Sequence, residues 1–242
     1  RFRMIRNALS GLLLATWLLA SAAVQAYDVE LALSYDTGAE NYAKSKGTTA
    51  VQIIRSMVNN TNAAFAEQNI PIKLVINKIA KLDLNIYTRM NNDYMTKQSK
   101  FRAAYNADYA FHLNMMVNGC GFAGLRTSTS GYQYHSFYGV VKISCSWREF
   151  AHELGHSFGL DDPIRDINPE PNVYEYAITP PGQFAGVYPY GGGYSEFGRF
   201  GTIMLSTYQI NHPEFFGAGE MIGFFSDSTY VHSTYGKIGD AG

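Results

Sequence analysis

Three strand-like segments alternate with two helix-like segments in the first half of the chain, and this order constrains the fold more than any other feature. The strand-like segments are YDVELALSYD (27–36), in which apolar and polar residues alternate, and the runs IKLVINKIAKL (72–82) and DYAFHLNMMVN (108–118). Apolar residues recur every three or four positions in 48–68, and a polar helical stretch covers about 92–105. Strands joined by such short helical crossovers are expected to be parallel neighbours, with the helices on the faces of the sheet.

Two shorter apolar runs follow, GCGFAGL (119–125) and FYGVVKIS (137–144), with a Ser/Thr/Gly-rich turn region between them. They predict an antiparallel edge strand and an inner strand of the same sheet. With 46% hydrophobic and 16% charged residues, the chain has enough apolar material for a core and is unlike a disordered or collagen-like sequence. The expected fold is therefore α/β (α+β), with a mixed, twisted sheet of about five strands.

The first 26 residues have the features of a secretory signal peptide. Arg1, Arg3 and Arg6 precede an apolar run from Leu12 to Val24, and the small residues before position 27 suit cleavage after Ala26. An uncleaved membrane anchor is the alternative, because the run approaches the length of a spanning helix. We expect a secreted protein, extracellular or periplasmic, whose mature domain is 27–242.

Charge excludes two classes of partner. Removing residues 1–26 deletes three arginines and no acidic residue, so a net charge of −1 becomes about −4. A chain with this balance has no electrostatic attraction to nucleic acid or to anionic membranes. We therefore expect neither nucleic-acid binding nor membrane association after cleavage, and we expect a monomer.

The two cysteines, Cys120 and Cys145, are 25 positions apart. An even number of cysteines in an exported chain favours a disulfide. Two unpaired buried thiols are the alternative. A cysteine-based zinc site is disfavoured, because the chain has no CxxC spacing.

The segment REFAHELGHSFGLDDP (148–163) follows, and we predict a helix over about 146–158 that ends at Gly159. His152 and His156, four residues apart on a helix, project from one face and can reach one metal ion, with Glu153 beside them. After a turn at Gly159, Asp162 can return as a third ligand, and spacing favours it over Asp161. A surface helix with two histidines is the alternative, and the isolated His112 is better explained as a core or surface residue.

HELGHSFGLDD resembles the metzincin zinc signature HExxHxxGxxH/D, with Asp162 at its eleventh position. Thr202-Ile203-Met204, about forty residues later, resembles the methionine turn of the same proteins. Together with GCGFAGL and the YPYGGGY run, the similarity points to secreted bacterial reprolysin-like and peptidyl-Asp metalloendopeptidases. Most reprolysin-like members have histidine at the eleventh position, whereas snapalysin-like members have aspartate. Ser206 stands where astacin-like members have an additional tyrosine ligand.

The resemblance implies a zinc endopeptidase with one catalytic Zn²⁺ held by His152, His156 and Asp162, in which Glu153 is the general base. It also implies a Met-turn at Met204 and two subdomains, 27–160 and 161–242. An accessory Ca²⁺ is an open alternative that no clear acidic loop supports. Protein or peptide substrates would add as an antiparallel strand to the edge strand, for which the candidate residues are Phe122, Ala123, Gly124 and Leu125.

Two other functions compete with this hypothesis. One is a non-proteolytic zinc-binding adhesin or toxin-like module on the same fold, which the presence of Glu153 disfavours because binding alone needs no base. The other is a zinc hydrolase that does not act on peptides, which the resemblance at Met204 disfavours.

Overall fold

The computed structural model describes residues 26–84, 86, 91–117, 119–124 and 137–160, together with 195–196, 200–201, 203–204, 220–221, 223, 227–234 and 236–238. Within these ranges, no helix is both long enough and apolar enough to cross a membrane. The predicted signal peptide lies outside them, apart from Ala26.

Four helices and ten strands make up the described part of the chain. The helices are Thr37–Ser45 (α1), Ala50–Glu67 (α2), Asn92–Ala104 (α3) and Trp147–Phe158 (α4). The longer strands are Tyr27–Tyr35 (β1), Ile72–Lys81 (β2), Tyr109–Asn114 (β3), Gly121–Ala123 (β4) and Tyr138–Lys142 (β5). The remaining strands are Ser195–Glu196 (β6), Phe200–Gly201 (β7), Glu220–Met221 (β8), Asp227–His232 (β9) and Gly236–Ile238 (β10).

The first five strands form one mixed sheet in the order β2-β1-β3-β5-β4. β1 pairs in parallel with β2 and β3, and β3 pairs in parallel with β5, whereas β4 is antiparallel to β5. The predicted fold class, a mixed sheet of about five strands with an antiparallel edge strand, is therefore confirmed. β6, β7 and β8 form a small second sheet, and β9 and β10 form an antiparallel pair.

The predicted helix over 48–68 is α2, and its first residue is set by a capping box. The Thr49 side chain accepts a hydrogen bond from Gln52 N, and the Gln52 side chain accepts one from Thr49 N, which satisfies two otherwise unpaired amides. The helix buries one stripe of side chains against the sheet, as its apolar periodicity predicts. The buried residues are Ala50, Ile54, Met57, Val58, Thr61, Ala64 and Phe65.

Helix α1 was not predicted from the sequence. Asp36 caps it by accepting a hydrogen bond from Ala39 N at 2.7 Å, and only Ala39 and Ala43 are buried on its inner face. Two alanines on a nine-residue segment give a weak apolar periodicity. The capping aspartate directly after a strand was the one sequence signal for this helix.

The sheet has a core on each face, because successive strand residues point to opposite sides. One face packs against α1, α2 and α4, and the other packs against α3. The strand residues buried on the first face are Leu31, Leu33, Leu74, Phe111, Leu113 and Val141. Those on the second face include Ala32, Ala110, Tyr138 and Val140.

A buried polar chain lies on the α3 face of the sheet. Gln98 Nε2 donates to Ser34 Oγ at 2.8 Å, and Ser34 Oγ lies 2.9 Å from His112 Nδ1. The Ser34 hydroxyl can donate its proton to Nδ1 of a neutral imidazole while it accepts from Gln98. His112 is fully buried, as the core interpretation of this residue requires. Burial lowers its pKa to about 4, although the charge of Asp83 acts in the opposite direction.

His112 should make the protein less stable in acid. Its pKa is about 4 in the folded state against 6.5 for an unperturbed histidine, so the unfolded state binds the extra proton between these values. The contribution of His112 to the unfolding free energy is therefore intact above pH 6.5 and falls by about 3 kcal/mol as the pH drops through this window. Denaturant unfolding of wild type and His112→Gln from pH 7.5 to 4 measures it. The variant should lose less stability on acidification, and parallel curves would contradict the prediction.

Candidate active site

Helix α4 positions the candidate zinc-binding residues and ends where the sequence predicts. Gly159 adopts the left-handed conformation, with φ of 97°, and its N–H donates to His156 O at 2.9 Å. Leu160 N then donates to Gly155 O at 2.9 Å, so the chain turns sharply away from the helix axis. A side chain at position 159 would strain this conformation.

The buried face of α4 anchors it to the rest of the domain. Phe150, Ala151 and Leu154 are buried in the core, and the Phe150 ring packs edge-on against Phe111 of β3 at a centroid distance of 5.5 Å. The helix also packs against α2, β4 and β5. The candidate ligands therefore project from a helix whose orientation is fixed by its packing.

The two histidines face each other, and a backbone carbonyl fixes each ring. His152 Nδ1 lies 2.9 Å from Ile203 O, and His156 Nδ1 lies 2.9 Å from Leu160 O. A carbonyl oxygen only accepts hydrogen bonds, so each Nδ1 carries a proton and donates it. In the neutral rings, the unshared electron pair is then on Nε2, and the two Nε2 atoms are 3.1 Å apart.

The positions of the two imidazole rings are better explained by a metal ion bound between them than by a direct contact between the two histidines. Two Nε2 electron pairs 3.1 Å apart repel each other unless a proton or a cation lies between them. In a tetrahedral zinc site with Zn–N distances of about 2.0–2.1 Å, two ligand nitrogens are about 3.3 Å apart. Donation of Nδ1–H to a carbonyl is also the usual support of a metal-binding histidine. The histidine pair is thus arranged to provide two metal ligands.

Ile203 and Met204 are distant from α4 in the sequence but pack with it in the folded chain. Both are almost fully buried and belong to the core cluster that contains Ala151 and Leu154. Ile203 supplies the carbonyl that holds His152. These two residues of the expected Met-turn are therefore packed against the helix that bears the histidines.

Glu153 belongs to α4, and its side chain is buried against β4. Only 4% of the residue's surface is exposed. Its side chain lies against Gly121, where an added Cβ would be 2.8 Å from Glu153 Cγ and 2.8 Å from Oε1. The candidate base thus contacts the strand expected to bind substrate. Gly121 was not among the candidate site residues, and no local sequence pattern could have identified it, because the contact joins two distant elements.

The predicted edge strand is β4, which lies within the apolar run 119–125. β4 covers Gly121–Ala123, and Gly124 N still donates to Tyr138 O at 3.2 Å. Phe122 and Ala123 pair with Val140 and Gly139 of β5. Of the four candidate substrate-binding residues, Leu125 lies outside the described part of the chain.

A disulfide joins β4 to the start of α4. Cys120 and Cys145 are bonded, with their Cα atoms 5.8 Å apart, which confirms the predicted pairing. Cys120 O also accepts a hydrogen bond from Lys142 N at 2.7 Å. On a chain-entropy model, a bond across 25 residues stabilises the fold by roughly 3 kcal/mol. The bond fixes the edge strand relative to the helix that carries Glu153.

The third metal ligand is not tested by the structure. Asp161 and Asp162 lie outside the described residues, as does Ser206. Within the described ranges, no group of three His, Cys, Asp or Glu residues is arranged to hold a metal. The described part of the site thus comprises two histidines, Glu153 and Gly121.

Comparison with known proteins places the chain in a family. Residues 25–216 match Reprolysin_5, metallo-peptidase family M12. No curated protein matches the chain significantly. In a structure described as a chaperone–substrate complex, one chain is similar at a TM-score of 0.60 and 17% identity, over 90% of this chain and 32% of that one.

Metalloproteinase-II from Bacteroides fragilis aligns at a TM-score of 0.35 and 13% identity, over 68% of this chain and 50% of that one. The chain thus spans about a third of the length of the first solved chain and half of the length of the second. The family match covers well over half of the sequence and includes α4, both histidines and Glu153. The chain therefore belongs to metallo-peptidase family M12.

Proposed function

We propose that this protein is an exported zinc endopeptidase of the metzincin type. The observation that carries the proposal is the convergence of His152 Nε2 and His156 Nε2 at 3.1 Å, with both Nδ1 atoms committed to carbonyls. Membership of metallo-peptidase family M12 supports the same activity. A surface helix with two chance histidines would not have both rings fixed in this way.

Three residues would hold the ion. His152 and His156 provide two imidazole nitrogens from one face of α4, and we propose Asp162 as the third ligand because it follows Gly159 at the metzincin spacing. When bound, Zn²⁺ acts as a Lewis acid that activates water and polarises the peptide carbonyl of the substrate. The aspartate makes the ligand set anionic, as in snapalysin-like enzymes.

Glu153 would be the general acid and base. As a carboxylate, it accepts the proton of the attacking water and then returns that proton to the amine of the leaving peptide. Burial keeps bulk water away from its carboxylate, and the helix holds it one residue from His152. A purely zinc-binding module would have no use for a proton acceptor at this position.

The substrate would bind as an additional strand beside β4. β4 is the terminal strand in the order of the five-stranded sheet, so its outer edge has backbone groups for an extended peptide. Main-chain hydrogen bonds to Phe122 and neighbouring residues would align the peptide next to Glu153. We propose protein or peptide substrates on this basis.

The remaining parts of the proposal concern the whole chain. We propose that residues 1–26 are a signal peptide and that 27–242 form a monomeric catalytic domain, with subdomains 27–160 and 161–242. The disulfide between Cys120 and Cys145 is compatible with an extracellular or periplasmic location.

Metal removal tests the proposed function. The purified protein should cleave casein or a mixed peptide library, should lose this activity when a chelator removes the metal, and should regain it when Zn²⁺ is added. Cleavage that persists after complete metal removal would contradict the mechanism. Stoichiometric zinc binding without cleavage of any peptide would instead favour the non-proteolytic zinc-binding module.

A further inference from the structure

We infer that Gly121 is a positioning residue whose missing side chain provides the space for the Glu153 carboxylate. An ideal Cβ at position 121 would lie 2.8 Å from three atoms, Glu153 Cγ, Glu153 Oε1 and Val140 O. Carbon atoms do not approach other heavy atoms this closely without displacing them. This inference rests on the proposed function, because it concerns the residue that would be the general base.

Backbone conformation gives no reason for glycine at this position. Gly121 is in strand β4 and is not among the glycines with positive φ, unlike Gly119 with φ of 79° and Gly159 with φ of 97°. An alanine could therefore adopt the backbone conformation of residue 121. The requirement for glycine comes from two neighbours, the Glu153 side chain and the Val140 carbonyl oxygen.

The strand has little freedom to move away from an added methyl group. Cys120, the preceding residue, is disulfide-bonded to Cys145 at the start of α4, and its carbonyl accepts a hydrogen bond from Lys142 N. Gly121 itself pairs with Val141 of β5. Since Val140 O belongs to the backbone of β5, the Glu153 side chain is the neighbour that can move most easily.

Any side chain at position 121 should therefore move the carboxylate out of place. The same strand is proposed to bind the substrate, so Gly121 sets the distance between the bound peptide and its proton acceptor. A displacement of about 1 Å at a reacting group can reduce the rate on the order of 100-fold. The metal ligands are on other residues, so zinc binding should be preserved.

The kinetic test compares Gly121→Ala with Gly38→Ala. Gly121→Ala should lower kcat by about 10- to 100-fold with little change in KM, retain one zinc per chain, and displace the acid limb of the kcat/KM profile against pH. Gly38, in α1, is the matched control, because its added Cβ would meet only the Asp36 side chain, at 3.2 Å, and Met115. A Gly121→Ala enzyme with wild-type kcat and pH profile would overturn the inference.

A stability comparison tests the contact independently of catalysis. Gly121→Ala should lower Tm by at least about 3 °C in the wild-type background. It should lower Tm by clearly less in a Glu153→Ala background, where both contacting atoms of Glu153 are absent. Equal losses in the two backgrounds would overturn the inference, even if kcat fell. If the wild-type protein shows no chelator-sensitive cleavage, the proposed function fails, and the Tm comparison alone decides the role of Gly121.

Discussion

Glu153→Gln should bind zinc as the wild-type protein does and lose at least about 100-fold in kcat, the usual contribution of a general base. Glutamine has nearly the same shape as glutamate, so it fits the space beside Gly121 without a new contact. Its amide carries no basic oxygen that can accept a proton from water. Measurements of kcat, KM and bound zinc on the same preparation separate this chemical loss from a loss of folding.

Glu149→Gln is the matched control for this prediction. Glu149 is also 4% exposed and lies on the same helix, one turn before Glu153, so the substitution removes the same charge from a similarly buried site. This variant should retain activity close to that of wild type. If Glu149→Gln lost as much activity as Glu153→Gln, the effect would be due to charge removal from α4 and not to a proton acceptor.

The fold was predicted best where one periodicity extends over many residues. The alternation in β1 and the apolar stripe of α2 reflect burial on one side of an element, which is a local property of the sequence. The prediction failed for α1, because Ala39 and Ala43 are its only buried residues and give little contrast between its faces. The parallel direction of β1, β2 and β3 followed from the rule that helical crossovers join parallel strands. Their order did not, because β1 lies between β2 and β3, and the crossover that joins β2 to β3 therefore does not join neighbouring strands.

The site was predicted to the extent that it is local. His152 and His156 share one face of α4 because four residues make about one helical turn, and the structure brings their Nε2 atoms together. Their carbonyl partner from Ile203 is 51 residues away from His152, and Gly121 is 32 residues from Glu153, so only the folded chain reveals these contacts. No sequence spacing encodes either pair.

Asp162→Asn should weaken zinc binding by more than about 100-fold and abolish most of the activity. Loss of a residue that only supports a metal ligand usually costs 10- to 100-fold in affinity, so loss of a direct ligand should cost more. An asparagine retains the size of aspartate but has no negative charge to offer the ion. Zinc affinity measured by competition with a chromogenic chelator, beside activity at saturating Zn²⁺, gives both effects.

Asp161→Asn discriminates between the two adjacent aspartates. If Asp162 is the ligand, the Asp161 variant should keep its zinc and most of its activity, whereas the reverse pattern would assign the ligand to Asp161. Asp162→His provides a second test, because a neutral imidazole donates less negative charge to the ion than a carboxylate does. This variant should retain zinc and move the acid limb of the kcat/KM profile to lower pH. An unchanged profile would mean that the residue at position 162 does not contact the metal.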